Sequence, residues 1–114
     1  MSESQIQDAI RLALGSAYDL VLWRNNVGTA EHWNGKEVTR VRYGLAPGSA
    51  DLVGLLAPSG RMFALEVKTA SGRPTEDQIL WLSIVRRMGG FAAIVRSVDE
   101  ARGALDRARR GERE

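Results

Sequence analysis

The chain has 114 residues, 44% hydrophobic and 26% charged, with a formal net charge of +2 and no cysteine. That length buries one modest core without room for a second domain, and without thiols neither a disulfide framework nor a thiolate zinc site can form. With no long apolar segment and no basic-then-apolar leader, neither membrane insertion nor export is expected; the chain reads as one domain over residues 1–114, intracellular and cytoplasmic, with a frayed C-terminal end.

In chain order, Ile6, Ile10, Ala13 and Leu14 recur at helical spacing and predict a helix from about Ser4 to Gly15. Ser4 with Gln7 and Ser2 with Gln5 both have capping-box spacing, and either start leaves Glu3 at the helix entrance, where the helix dipole favours an acid. Asp19–Arg24 and Lys36–Tyr43 read as strands, with Asn34-Gly35 as a turn signal between extended segments. The interval Asn25–Trp33 is less regular; its His32 is the sole histidine, and its Trp33 could stack on a base or pack at a hairpin or dimer contact. Arg24, Lys36, Arg40 and Arg42 form either a solvated strand face or a phosphate-binding edge. Phosphate contacts would position DNA without reading its sequence, and binding would fall steeply with salt.

The centre of the chain carries the chemistry. Ala50–Leu56 can pair with the apolar run Met62–Leu65 through the loop Ala57-Pro58-Ser59-Gly60, whose proline and glycine favour a four-residue reversal. Leu56 then faces Arg61, Leu55 faces Met62, Val53 faces Ala64 and Asp51 faces Glu66. Because side chains alternate along a strand, Asp51, Glu66 and Lys68 share one face, while Leu52, Leu56, Phe63, Leu65 and Val67 share the other. Opposed Cβ atoms lie roughly 5 Å apart, close enough for both carboxylates to reach one ion. Mg²⁺ suits such a pair, since it prefers oxygen ligands at about 2.0–2.1 Å and keeps its waters. It would activate a water and neutralise charge on a phosphodiester, with Lys68 placing further positive charge at the transition state. An isolated Glu-x-Lys would equally be a solvated strand face bearing a salt bridge, with Asp51 merely ending a loop.

Thr69–Pro74 reads as a loop followed by a helix, in which Thr75 and Gln78 have capping-box spacing. Gln78 either caps Thr75 or, on the face of Leu82 and Val85, aims at the sheet that bears the acids. Arg73 and the free amides of this helix start could receive phosphate, while Trp81, Ile84 and Met88 are expected to build core. Gly89-Gly90 stops the helix, Phe91–Val95 reads as a buried strand, and Ser97 with Glu100 opens a final helix.

Gly44–Gly54, with the motif Pro47-Gly48-Ser49-Ala50-Asp51, followed by Phe63–Lys68, Gly72, Thr75, Gln78 and Gly89-Gly90, resembles the VRR-NUC nucleases of the PD-(D/E)xK restriction-endonuclease-like superfamily. The resemblance runs from Glu3 to near Val95. It implies an α/β fold, a mixed β-sheet flanked by α-helices, and a Mg²⁺- or Mn²⁺-dependent endonuclease acting on branched or structured DNA. Small stand-alone members look like phage-encoded homodimers that resolve Holliday junctions. By the family pattern, Asp51, Glu66 and the Val67 carbonyl would hold the metal, Lys68 would be the catalytic lysine, and Glu3 and Gln78 would complete the site. Arg24, Asn26 and Gly28 match an R-x-N-x-G pattern of the family that suggests backbone or substrate positioning near the site. One departure is that Pro47 precedes Asp51 by four positions instead of adjoining it. The rival readings are a nuclease of the same fold acting on linear DNA ends or RNA, and a non-catalytic nucleic-acid-binding α/β module.

Overall fold

A computed structural model describes the whole chain, Met1–Glu114. The elements run α1 (Glu3–Leu14), β1 (Leu20–Arg24), β2 (Gly28–Trp33), β3 (Val38–Tyr43), β4 (Leu52–Leu56), β5 (Arg61–Val67), α2 (Glu76–Arg87), β6 (Phe91–Val95) and α3 (Val98–Arg109). Four strands form a mixed sheet in the order β1-β4-β5-β6, antiparallel except for the β5–β6 pair, while β2 and β3 form a separate antiparallel hairpin.

Turn chemistry sets the register of the central pair. Gly60 N–H donates to the Leu56 carbonyl at 3.0 Å, and Leu56 opposite Arg61 leads to Leu55–Met62, Val53–Ala64 and Leu52–Leu65. Asp51 and Glu66 stand one step further on. Leu52, Leu56, Phe63, Leu65 and Val67 all join the main core, which α1 completes with Ile6, Ile10 and Leu14 and α3 with Ala101, Ala104, Leu105 and Ala108. The small side chains of α3 let it lie close to the sheet, and Phe63 and Phe91 stack beneath it with centroids 5.2 Å apart. On the opposite face a smaller cluster joins Ala64 and Ala92 to Leu82 and Val85 of α2.

α2 lies mainly over β5 and β6. The register sets Val21 beside Leu55 and Trp23 beside Val53 on this same face, and Val21, Trp23, Leu55 and Met62 are exposed. Ile84 and Met88, expected in the core, are exposed as well and line a groove with Met62 and Trp81. The helical pattern was right, but no element covers this flank of α2.

The irregular interval before Trp33 proves to contain β2, and β3 starts at Val38 because Lys36 and Glu37 belong to the turn, where Asn34 Oδ1 accepts both their N–H groups at 2.9 Å. Apart from Gly28 every residue of the hairpin strands is exposed, so no burial alternation marks β2 in the sequence. α3 ends at Arg109, short of Glu114, and the residues after it lie against β6 and its neighbours: Ala92 N–H donates to the Arg113 carbonyl at 3.0 Å, Arg61 Nη2 donates to the Glu112 carbonyl at 2.5 Å, and Glu114 pairs with Arg86 at 3.0 Å.

Candidate active site

β4 and β5 place three polar side chains among apolar neighbours. The face shared by Ala64 and Val53 continues into Glu66, Lys68 and Asp51 at the end of the sheet where β1 finishes and β4 begins. Glu66 is only 1% exposed, and neither of its carboxylate oxygens has a hydrogen-bond partner. An unpaired ionised carboxylate at that depth is costly, so burial first, and then the neighbouring Asp51 carboxyl, push Glu66 up to about 9. Lys68 pulls the other way, and Glu3 adds to the rise.

Asp51 is more open. Its Oδ2 accepts the Val67 N–H at 2.9 Å, which ties β4 to β5 beyond the last regular pair. Lys68 is also buried, its N–H donates to the Val95 carbonyl at 3.1 Å, and its ammonium forms no ion pair. The arrangement is therefore two facing carboxylates, one with both oxygens free, beside an uncommitted ammonium. That donor set fits a hard divalent cation. No three His, Cys, Asp or Glu side chains gather to hold an ion, so a backbone carbonyl such as that of Val67, together with water, would have to complete the shell, as Mg²⁺ tolerates.

Other residues singled out in the sequence take varied places. The helix starts at the Ser2–Gln5 capping box, which leaves Glu3 in the first turn of α1, near enough for its charge to act on Glu66. Gln78 does not reach the acids: its Oε1 accepts the Thr75 N–H at 2.9 Å in the capping box of α2. Arg73 is exposed in the preceding loop, but Glu76 and Asp77 occupy the first turn of α2 and oppose phosphate there. Arg24 lies on β1 opposite Leu52, which sets it on the other face from Asp51, whereas Lys36, Arg40 and Arg42 lie on the hairpin. The four therefore do not share one strand edge. Within the hairpin, Arg40 and Arg42 share a face with Val38 and Trp33. Asn26 is exposed at the root of the hairpin.

Two supporting residues carry no signal in the sequence. Asn25, rather than Asn26, bonds the loop that leads into Asp51. Arg96 Nη1 donates to the Thr69 and Gly72 carbonyls at 2.5 and 2.6 Å and so fixes the loop that follows Lys68. Only the tertiary fold joins these residues to the acids, since the bonds span twenty or more positions. Gln7, one turn after Glu3, is buried at 8% exposure with no hydrogen bond from its side chain.

The family model described as VRR-NUC domain matches residues 1–99. No curated protein sequence matches the chain. The mixed sheet flanked by helices agrees with the restriction-endonuclease-like fold of that family. No helix is long and apolar enough to cross a membrane.

Proposed function

The chain belongs to the VRR-NUC domain family and is a nuclease with a nucleic-acid substrate, and from that premise we propose a Mg²⁺- or Mn²⁺-dependent endonuclease that cleaves branched DNA, Holliday junctions above all. The observation that carries this reading is the Glu66 carboxylate, buried without a partner beside Asp51 and Lys68. Asp51, Glu66 and the Val67 carbonyl would hold the cation. When bound, the ion supplies an acidified water and neutralises charge at the scissile phosphate.

The protein's own groups do the rest. Asp51 keeps one oxygen on the Val67 amide, so the other is left to face Glu66. Lys68, free of any carboxylate contact, can hold the attacking water or the charge that builds on the phosphoryl oxygens. Glu3 acts at longer range through its charge, whereas Gln78 serves the cap of α2. Asn26, Lys36, Arg40 and Arg42 are the proposed contacts to the DNA backbone, with the exposed hairpin as an arm beside the site.

A homodimer would bring two such sites to opposing strands of a junction. Its support is the uncovered half of the sheet, where Val21, Trp23, Leu55 and Met62 lie exposed, with Met62 sharing a groove with Ile84 and Met88. Six apolar side chains without a cation make a poor phosphate surface and a good protein one, and a second copy carrying the same strip is the proposed occupant. An intracellular, cytoplasmic setting goes with this reading.

The test is incubation of the purified protein with end-labelled four-way, flap and duplex DNA and with RNA, in Mg²⁺, in Mn²⁺ and in chelator, alongside Lys68→Ala. Symmetric nicks in junctions that need the cation and vanish in the variant are expected. Ragged shortening of linear ends, cleavage of RNA alone, or junction binding without any cleavage would each overturn the proposal in favour of a different substrate or a non-catalytic module.

A further inference from the structure

Asp51 does not sit within a strand. It follows Gly44–Ala50, a segment without regular structure, and such a segment holds a side chain in place only where other groups take up its backbone. Asn25, the first residue after β1, does so with nearly everything it has. Its Nδ2 donates to Ser49 Oγ and to the Ala50 carbonyl, both at 2.8 Å, and its Oδ1 accepts the Leu45 N–H at 3.2 Å. Its own backbone N–H donates to the Asp51 carbonyl at 2.8 Å.

Both amide hydrogens and the amide oxygen of one side chain are thus committed to the seven residues that end at Asp51. Two of the groups held, Ser49 and Ala50, are buried at 6% and 0% exposure. Two glycines shape the same segment. Gly44 and Gly48 have φ of +85° and +82°, and a Cβ on either would lie within 3 Å of the backbone of Asn26 or of Asp77. The path of the loop is therefore narrow, and Asn25 is the clamp that closes it.

We propose that Asn25 is a positioning residue for the cation site: by fixing the backbone of residues 45–51 it sets the Asp51 carboxylate, one oxygen on Val67 N–H, to face Glu66. It acts through Asp51 and touches neither cation nor DNA. The inference rests on the reading that Asp51 and Glu66 hold a divalent ion. Groups that orient a metal ligand from behind are worth about 10- to 100-fold in ion affinity, which separates this role from that of a general staple.

The experiment measures Mn²⁺ binding calorimetrically without DNA, and thermal unfolding in chelator, for wild type, Asn25→Ala, Asn25→Asp and Asn34→Ala. Asn34 bonds two amides of the hairpin turn and serves as a control of like chemistry away from the acids. Asn25→Ala is expected to weaken Mn²⁺ by about 10- to 100-fold in protein that the chelator melts show to be folded, while Asn34→Ala leaves Mn²⁺ affinity unchanged. Cleavage by the variant should recover as Mn²⁺ is raised. Asn25→Asp keeps an acceptor for Leu45 but turns an oxygen towards the Ala50 carbonyl, so it should lose affinity similarly; it also decides the matter if the alanine variant fails to fold. Unchanged Mn²⁺ affinity in a folded Asn25 variant overturns the inference, whatever its melting temperature. Wild type that binds no Mn²⁺ overturns the cation reading itself, and the inference with it.

Discussion

On one face of the four-stranded sheet, Leu52, Leu56, Phe63, Leu65 and Val67 lie closed beneath α1 and α3. On the other, Val53, Leu55, Met62, Ala64 and Glu66 come from the same two strands, with Asp51 and Lys68 adjoining their ends, yet α2 covers only part of them. Neighbouring residues therefore divide stability from chemistry. Val67 is sealed between Glu66 and Lys68 in sequence, and its side chain belongs to the opposite layer. The comparison teaches that removing an acid should cost activity with little loss of fold, whereas removing the residue beside it should cost the fold.

The largest effect expected is in cleavage. Glu66→Gln and Lys68→Ala should each lower kcat by about a thousandfold, the kinetic equivalent of the several kcal/mol that ion and charge stabilisation supply. Circular dichroism should show an unchanged fold, and a collapsed spectrum would break the division between the faces. Next comes the closed face: Phe63→Ala should cost about 3–5 kcal/mol in denaturant unfolding, while Met62→Ala, on the open face, should cost under about 1 kcal/mol. Equal losses at the two positions would show that the open face is not open in solution.

The pH dependence sharpens the contrast. Burial, and then Asp51, raise the Glu66 carboxyl from 4.5 to about 9, so the folded chain keeps a proton that the unfolded chain releases. The contribution of this group to stability is whole below about pH 4.5 and erodes as pH climbs towards 9. In chelator, wild type should therefore lose stability relative to Glu66→Gln between pH 5 and about 9, read by urea unfolding at several pH values. Mn²⁺ should flatten that slope, because binding displaces the proton. A difference between the two proteins that does not change with pH would mean Glu66 is ionised in the empty site.

Smaller effects lie away from the site. Asp19 and Arg109 join the start of β1 to the end of α3 through two contacts of 2.8 Å, and this pairing holds the Asp19 carboxyl below its usual range. The Arg109 side chain is 37% exposed, so screening limits the pair to about 1 kcal/mol, seen as a lowered midpoint in Asp19→Asn. That contribution is present above the ordinary Asp range and lost as pH falls below it. The smallest change is expected in the hairpin, where Arg40→Ala should leave stability alone and reduce the salt slope of DNA binding by about one.

Much of the fold was legible because it depends on near neighbours. Alternation along Leu52–Leu56 and Met62–Val67, with a four-residue turn between them, fixes the register, and a single slip would send every apolar side chain to solvent. The capping boxes of α1 and α2 and the Asn34-Gly35 turn are equally local. β2 was not legible, because a strand exposed on both faces has no burial pattern to leave in its sequence. Trp81, Ile84 and Met88 carried a helical pattern, but only Trp81 packs on the smaller core cluster, because periodicity cannot say whether a partner element exists to cover the rest.

The sequence by itself determined that Asp51, Glu66 and Lys68 fall on one face and their apolar neighbours on the other, since a period of two residues along two short strands leaves no freedom in the matter. Tertiary structure alone decided which groups serve those three. It turned Gln78 to its own helix cap, set Arg24 apart from the hairpin arginines, brought Asn25 and Arg96 to the flanking loops, and folded the C-terminal tail over the edge of β6. Those choices rest on hydrogen bonds between residues distant in sequence and on how much surface each helix covers, neither of which any local pattern of residues encodes.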